Sequence, residues 1–134
     1  MLALNYIVAI LGMLFGAVQD IRKREVSDWL NYSLIAFGIG FGVIKSLLDS
    51  DVFVFFGMLL GLAAGVAIGF AMYYLGQWGG GDSKMIMGLG AIIGLNIWQS
   101  DFFLPTFLIN AVLFGAVYGV LWSIAAAVKN RKAF

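Results

Sequence analysis

The sequence predicts an all-α fold, a polytopic bundle of about five transmembrane helices. Of its 134 residues, 63% are hydrophobic and only 11% are charged, whereas soluble domains average about half apolar and a quarter charged residues. The charged residues form short clusters that divide the apolar sequence into runs. Most of these runs are near the length of about 20 residues that crosses a bilayer. We expect residues 1–134 to form a single transmembrane domain.

The charged clusters define the predicted spans. In chain order the spans are about Leu2–Val18, Trp29–Leu48, Val52–Gly76, Met85–Trp98 and Phe102–Val128. The segments between them are QDIRKREVSD, DSD, QWGGGDSK and QSD. The fourth run is too short to cross the hydrocarbon unless its helix begins inside the preceding glycine-rich loop.

The lysines and arginines predict the orientation, because they are enriched in cytoplasmic loops. If the loop after the first span is cytoplasmic, all but one of the eight basic residues lie inside, and Lys45 is the exception. The N-terminus is then outside and the C-terminus inside the cell. No basic residue precedes the first apolar run, so we expect an uncleaved first span rather than a signal peptide.

Glycines recur at intervals of four residues, which places them on one face of a helix. On the third span they are Gly57, Gly61, Gly65 and Gly69. Such a stripe lets helix backbones approach closely, either between two copies of a chain or inside one bundle. The sequence favours packing inside the bundle and leaves a homo-oligomer through glycine faces open.

The absence of certain residue types restricts the chemistry. The chain has no histidine and no cysteine, which excludes Ser-His-Asp and Cys-His catalysis, zinc sites built on those residues, and disulfides. The net charge of +1 gives no indication of nucleic-acid binding. Carboxylates, lysines, hydroxyls and backbone groups remain as candidates for catalysis, and no metal or other cofactor is expected.

Two aspartates are predicted at the same membrane face. Asp20 ends the first span and Asp82 precedes the fourth, so both are expected at the cytoplasmic edge. A carboxylate near the bilayer needs a physical reason because its desolvation is costly. Each aspartate alone could be structural, Asp20 by flanking a span and Asp82 by capping a helix. The two together favour a shared site.

The three consecutive glycines before Asp82 are expected to interrupt the helix, since each costs a helix interior roughly 1 kcal/mol relative to alanine. Gly79, Gly80 and Gly81 could form a plain turn. Alternatively, Gly81 could direct the Asp82 side chain into a cavity and let another backbone approach closely.

These segments resemble a known family. DIRKREVSDWLNY is similar to the first catalytic segment of type IV prepilin and archaeal preflagellin peptidases, usually D-I-x-x-x-x-I-P-N/D, and GGGDSK is similar to their G-x-G-D-x-K. Asp20 and Asp82 match the two catalytic aspartates. Other matching positions are Gly79, Gly81, Lys84, Val26 and Asp28. Ser27 stands where the family usually has proline, and we expect it to cap the second helix.

The resemblance implies an aspartic endopeptidase in the cell membrane. One ionised aspartate would take a proton from water while the other, protonated, polarises the scissile carbonyl. The implied substrates are precursors of type IV pilins or archaellins, with a short basic leader before an apolar helix, cut at the cytoplasmic face. Lys84 would stabilise an ionised carboxylate, meet the substrate or extend to the lipid headgroups.

Two other functions are compatible with the composition. A non-catalytic membrane subunit of a pilus or secretion assembly would use the glycine faces for packing and the aspartates as anchors. An ion-coupled transporter is less favoured, because such proteins typically place ionisable groups near the bilayer midplane and contain internal repeats. Here both aspartates are at one edge, and the sequence has no visible repeat.

Overall fold

The computed structural model describes residues 2–99 and 102–129, which are mostly helical. The helices are α1 (Leu2–Lys23), α2 (Asp28–Asp49), α3 (Val52–Tyr74), α4 (Gly80–Ile93) and α5 (Phe103–Lys129), with a 3-10 turn at Ile97–Gln99. Within the described ranges, all helices except α4 are long and apolar enough to cross a membrane. The predicted all-α, multi-pass membrane fold is confirmed.

Some predictions fall beyond these residues or remain untested. Ser100 and Asp101, in the second predicted outer loop, and the basic residues Arg131 and Lys132 lie outside the described ranges. The orientation of the termini therefore stays a prediction.

The chain divides into two compact units, residues 1–104 and 105–134. The first unit contains α1 to α4 and the first residues of α5. The second contains the rest of α5, in which the Ser123 hydroxyl donates to the Gly119 carbonyl (2.8 Å) and the rings of Tyr118 and Trp122 stack. The single domain over residues 1–134 stays a prediction.

Helix α1 is longer than the sequence indicated. It continues past the predicted end at Val18 to Lys23, so Asp20 lies near its end rather than in a loop. The residue after the helix, Arg24, has a φ of 54°, and its N–H donates to the Asp20 carbonyl (2.7 Å). A helix end that leaves the apolar region can remain helical, so the mostly polar residues 19–23 do not form a loop. The predicted ten-residue loop is therefore reduced to residues 24–27.

Helix α4 also differs from the prediction. It has 14 residues, begins inside the glycine-rich loop at Gly80 and ends at Ile93, not at Trp98. Gly80 and Gly81 are helical, so the interruption comes earlier, around Gly76 at a φ of 68°. Packing against three neighbouring helices outweighs the low helix propensity of the glycines. At about 1.5 Å per residue, α4 is roughly 21 Å long and shorter than the hydrocarbon thickness.

The glycine stripe of α3 packs against α4. The Gly90 carbonyl occupies the space that a Cβ atom on Gly61 would need, and the Ile86 carbonyl lies 2.6 Å from the Cβ position of Gly65. The Ser83 carbonyl is similarly close to Gly69, at 2.7 Å. The stripe therefore serves packing inside the chain, which was the favoured interpretation.

Helices α1 and α2 cover the other sides of α4. The Ala91 carbonyl lies 2.5 Å from the Cβ position of Gly38 on α2, and Met85 packs against Gly16 of α1. Asn5 of α1 donates to the Ile92 carbonyl at 3.5 Å. Ala91 and Ile92 are fully buried, so α4 forms the core of the first unit, and its N-terminal turn is held at one end of it.

Candidate active site

The segments that contain the two aspartates meet at one end of the first unit. Asp20 is near the end of α1, and Asp82 is the third residue of α4. The Asp20 Oδ1 atom lies 3.4 Å from the position that a Cβ atom would take on Gly81, the residue before Asp82. Both aspartates are exposed. Water and an extended peptide can therefore reach the two carboxylates.

Gly81 makes this close approach possible. The Val26 Cγ2 atom lies 3.1 Å from the Cβ position of Gly81, on the same side as the Asp20 carboxylate. Val26 is itself buried, with 3% of its surface exposed, so it has little room to move. Gly81 is helical, which means that its contribution is the missing side chain rather than an unusual backbone angle. A Cβ atom at position 81 would touch the Asp20 carboxylate and would require Val26 to shift by a few tenths of an ångström.

The Asp82 side chain turns back toward the start of its helix. Its Oδ2 atom lies 3.8 Å from the Cβ position of Gly79, the N-cap residue of α4. Unpaired N–H groups and the helix dipole stabilise anions at a helix N-terminus. The carboxylate thus lies at the positive end of the α4 dipole, and its exposure leaves it accessible to a second molecule.

An ion pair joins the first turns of α2 and α4. Lys84 Nζ lies 2.6 Å from Oδ1 of Asp28, the first residue of α2. Lys84 lies outside the four long apolar helices. Its hydrogen bond to Asp28 raises the pKa of Lys84 above its usual value, against a smaller opposing effect of burial. The lysine predicted to meet a catalytic carboxylate, the substrate or the headgroups thus has Asp28 as its partner.

A second polar contact joins α1 to the start of α2. The Ser27 N–H donates to Gln19 Oε1 at 2.9 Å. Ser27 is the N-cap residue of α2, as its position suggested, but its side chain makes no capping hydrogen bond. The expected capping by the serine hydroxyl is therefore wrong. Gln19 could not be predicted from the sequence, because a single glutamine near a helix end matches no motif.

Residues 7–120 match the profile of the type IV leader peptidase family. The chain belongs to this family. The matched range contains both aspartate segments and all of α2, α3 and α4. The resemblance drawn from the two short motifs is therefore confirmed over most of the chain.

Named relatives within the type IV leader peptidase family come from archaea. The preflagellin peptidase of Methanocaldococcus jannaschii is 29% identical over 95% of this chain and 58% of its own length. That of Methanococcus maripaludis is 34% identical over 67% of this chain and 39% of its own length. The prepilin peptidase EppA of Methanothermobacter thermautotrophicus is 22% identical over 67% of this chain. The chain thus spans less than two thirds of the length of these relatives.

Proposed function

We propose that the chain is an intramembrane aspartic endopeptidase that removes the leader peptide from preflagellin or prepilin-like precursors. The observation that supports this most strongly is the position of the Asp20 carboxylate against Gly81, directly before Asp82. Membership of the type IV leader peptidase family and the names of the preflagellin peptidases support the choice of substrate.

The proposed reaction needs only the two carboxylates and a water molecule. One aspartate, ionised, takes a proton from water, and the resulting hydroxide attacks the scissile carbonyl carbon. The other aspartate, protonated, donates to the carbonyl oxygen. When the tetrahedral intermediate collapses, the C–N bond breaks and the leaving nitrogen takes up a proton from the pair.

The surroundings suit a basic leader that precedes an apolar helix. Gly79 and Gly80 are exposed beside Asp82, and their lack of side chains leaves the start of α4 open to an extended peptide. Glu25 and the two aspartates are exposed and attract basic residues, an effect that the neighbouring Arg22, Lys23 and Arg24 offset locally. With the orientation predicted from the lysines and arginines, the site faces the cytoplasm, where such a leader remains after the helix enters the membrane.

The test is cleavage of a defined precursor by the purified full chain. A preflagellin-like substrate with a basic leader is incubated with the chain in lipid vesicles, and the products are identified by mass spectrometry. We expect one cut near the junction of leader and apolar helix, unchanged by a metal chelator. The matched control is D82N, which should leave the substrate intact. An intact substrate with well-folded wild-type chain would contradict the proposal and favour a non-catalytic membrane subunit.

A further inference from the structure

The short connection between α1 and α2 brings Asp20 and Val26 to the same glycine. Residues 20–25 are exposed, whereas Val26 is buried against Gly81. A hydrogen bond joins the two ends of this connection, because Gln19 Oε1 accepts from the N–H of Ser27. Gln19 directly precedes Asp20, and Ser27 directly follows Val26. Because both bonded groups sit next to the residues that touch Gly81, the bond fixes the last turn of α1 relative to the start of α2.

We propose that Gln19 is a positioning residue that sets the place of the Asp20 carboxylate beside Asp82 through its bond to the Ser27 N–H. The inference rests on the proposed peptidase activity. Gln19 does not touch the reacting atoms. Without this bond the last turn of α1 can rotate or fray, since helix ends leave backbone groups without partners. Asp20 then spends less time at the distance that catalysis needs.

The bond depends on the residue at position 27. Proline has no N–H to donate. Ser27 has a φ of −66°, which is close to the angle that a proline ring imposes. The S27P variant therefore fits the backbone, removes the donor and stiffens the connection by its ring. In this background Gln19 has no partner at position 27, and its side chain becomes dispensable for positioning.

Because the need for Gln19 depends on the residue at position 27, a double-mutant cycle tests the proposal. Q19M keeps the length of the side chain but removes the acceptor. We expect Q19M to lower kcat about fivefold to tenfold, in the range of one net hydrogen bond, with KM within twofold because the leader still binds. S27P should retain most of the activity, and Q19M/S27P should match S27P. The control S27A keeps the N–H and should behave like the wild type, since the serine hydroxyl caps nothing.

A second measurement does not depend on cleavage. Hydrogen exchange of the Ser27 amide should be faster in Q19M, while the Leu30 amide, which donates to the Ser27 carbonyl at 3.1 Å, should exchange as in the wild type. An equal loss of kcat from Q19M in both backgrounds, or no loss in either, would overturn the proposal. So would an unchanged Ser27 exchange rate. If the wild type does not cleave, the proposed function fails, and the exchange rates alone decide whether the bond holds the connection.

Discussion

The two aspartates sit on regions that are held in different ways. Asp82 belongs to α4, whose backbone touches that of α3 directly through Gly61 and Gly90. Asp20 belongs to the exposed last turn of α1, which meets α4 beside Gly81 through side chains. Backbone contacts of this kind leave little freedom, whereas exposed polar contacts adjust easily. The comparison indicates that Asp82 is the fixed member of the proposed pair and Asp20 the adjustable one.

The largest loss of stability is expected from a substitution where the backbones of α3 and α4 touch. G61L places a side chain where the Gly90 carbonyl lies, and neither helix can move without breaking the whole α3–α4 contact. Overpacking costs about 1 to 3 kcal/mol of stability even where side chains can move. We therefore expect G61L to lower the free energy of unfolding by at least the upper end of that range. Thermal unfolding in detergent and the yield of monodisperse protein measure this loss of stability.

The matched control for this variant is G40L on α2, where nothing lies within 4 Å of the Cβ position. Its stability should equal or exceed that of the wild type, because glycine is a poor helix former. Equal destabilisation by G61L and G40L would mean that the close α3–α4 contact does not hold Asp82 in place.

An intermediate effect is expected at the junction with α1. G81A puts a methyl group 3.1 Å from Val26 and 3.4 Å from the Asp20 carboxylate oxygen. The fold should survive, because the new Cβ atom only touches the Asp20 carboxylate and requires Val26 to shift by a few tenths of an ångström. Cleavage should still fall about tenfold, because the short segment that contains Val26 and Asp20 shifts with it. G80A is the matched control, because its nearest neighbour, Tyr73, is at an ordinary 3.9 Å. Cleavage rates that fall equally in G81A and G80A would argue against a special contact between Asp20 and Gly81.

The smallest effect concerns the ion pair between α2 and α4. Asp28 is 62% and Lys84 32% exposed, and exposed pairs contribute less than about 1 kcal/mol. K84M should therefore lower stability only slightly and cleavage by about twofold to threefold. The charge exchange D28K/K84D should restore part of the loss, whereas D28K alone should not. No recovery in the exchanged variant would mean that Lys84 acts on something other than Asp28.

The pH dependence of this pair follows from the raised pKa of Lys84, whose usual value is 10.5. The stabilisation is fully present below that pH and is lost as the pH rises through the higher value of the folded state. Unfolding temperatures of wild type and K84M should thus differ by a constant amount between pH 7 and 9 and converge in more alkaline buffer. Unfolding temperatures that already converge near pH 8 would contradict a raised pKa of Lys84.

The sequence predicted the long apolar helices well, because the bilayer imposes their length and composition. The predicted span Val52–Gly76 is observed as Val52–Tyr74, and Trp29–Leu48 as Asp28–Asp49. Charge clusters mark the membrane boundary, and for these helices the boundary is also the helix end.

The expectation that a helix ends where the apolar run ends was wrong for α1 and α4, which contain the two aspartates. Asp20 stays helical beyond the apolar run, and Gly80 and Gly81 are helical because α4 is packed on three sides. The end of α1 was missed because polar, exposed residues can continue a helix, and the start of α4 was missed because tertiary packing outweighs the low helix propensity of glycine. The partners of Lys84 and Gln19 were also missed, because each pair joins two segments whose relative placement the sequence does not specify.

The central claim is that Asp20 and Asp82 act as one catalytic pair, and cleavage of a preflagellin-like precursor by D20N and D82N tests it most directly. D49N is the control, because Asp49 is an exposed aspartate at the far end of α2 from Asp28. With equal amounts of folded protein, D20N, D82N and the double variant should all lose cleavage to the same background, as residues that act as a unit do. D49N should cleave like the wild type. Cleavage by D20N or D82N at the rate of D49N would contradict the account.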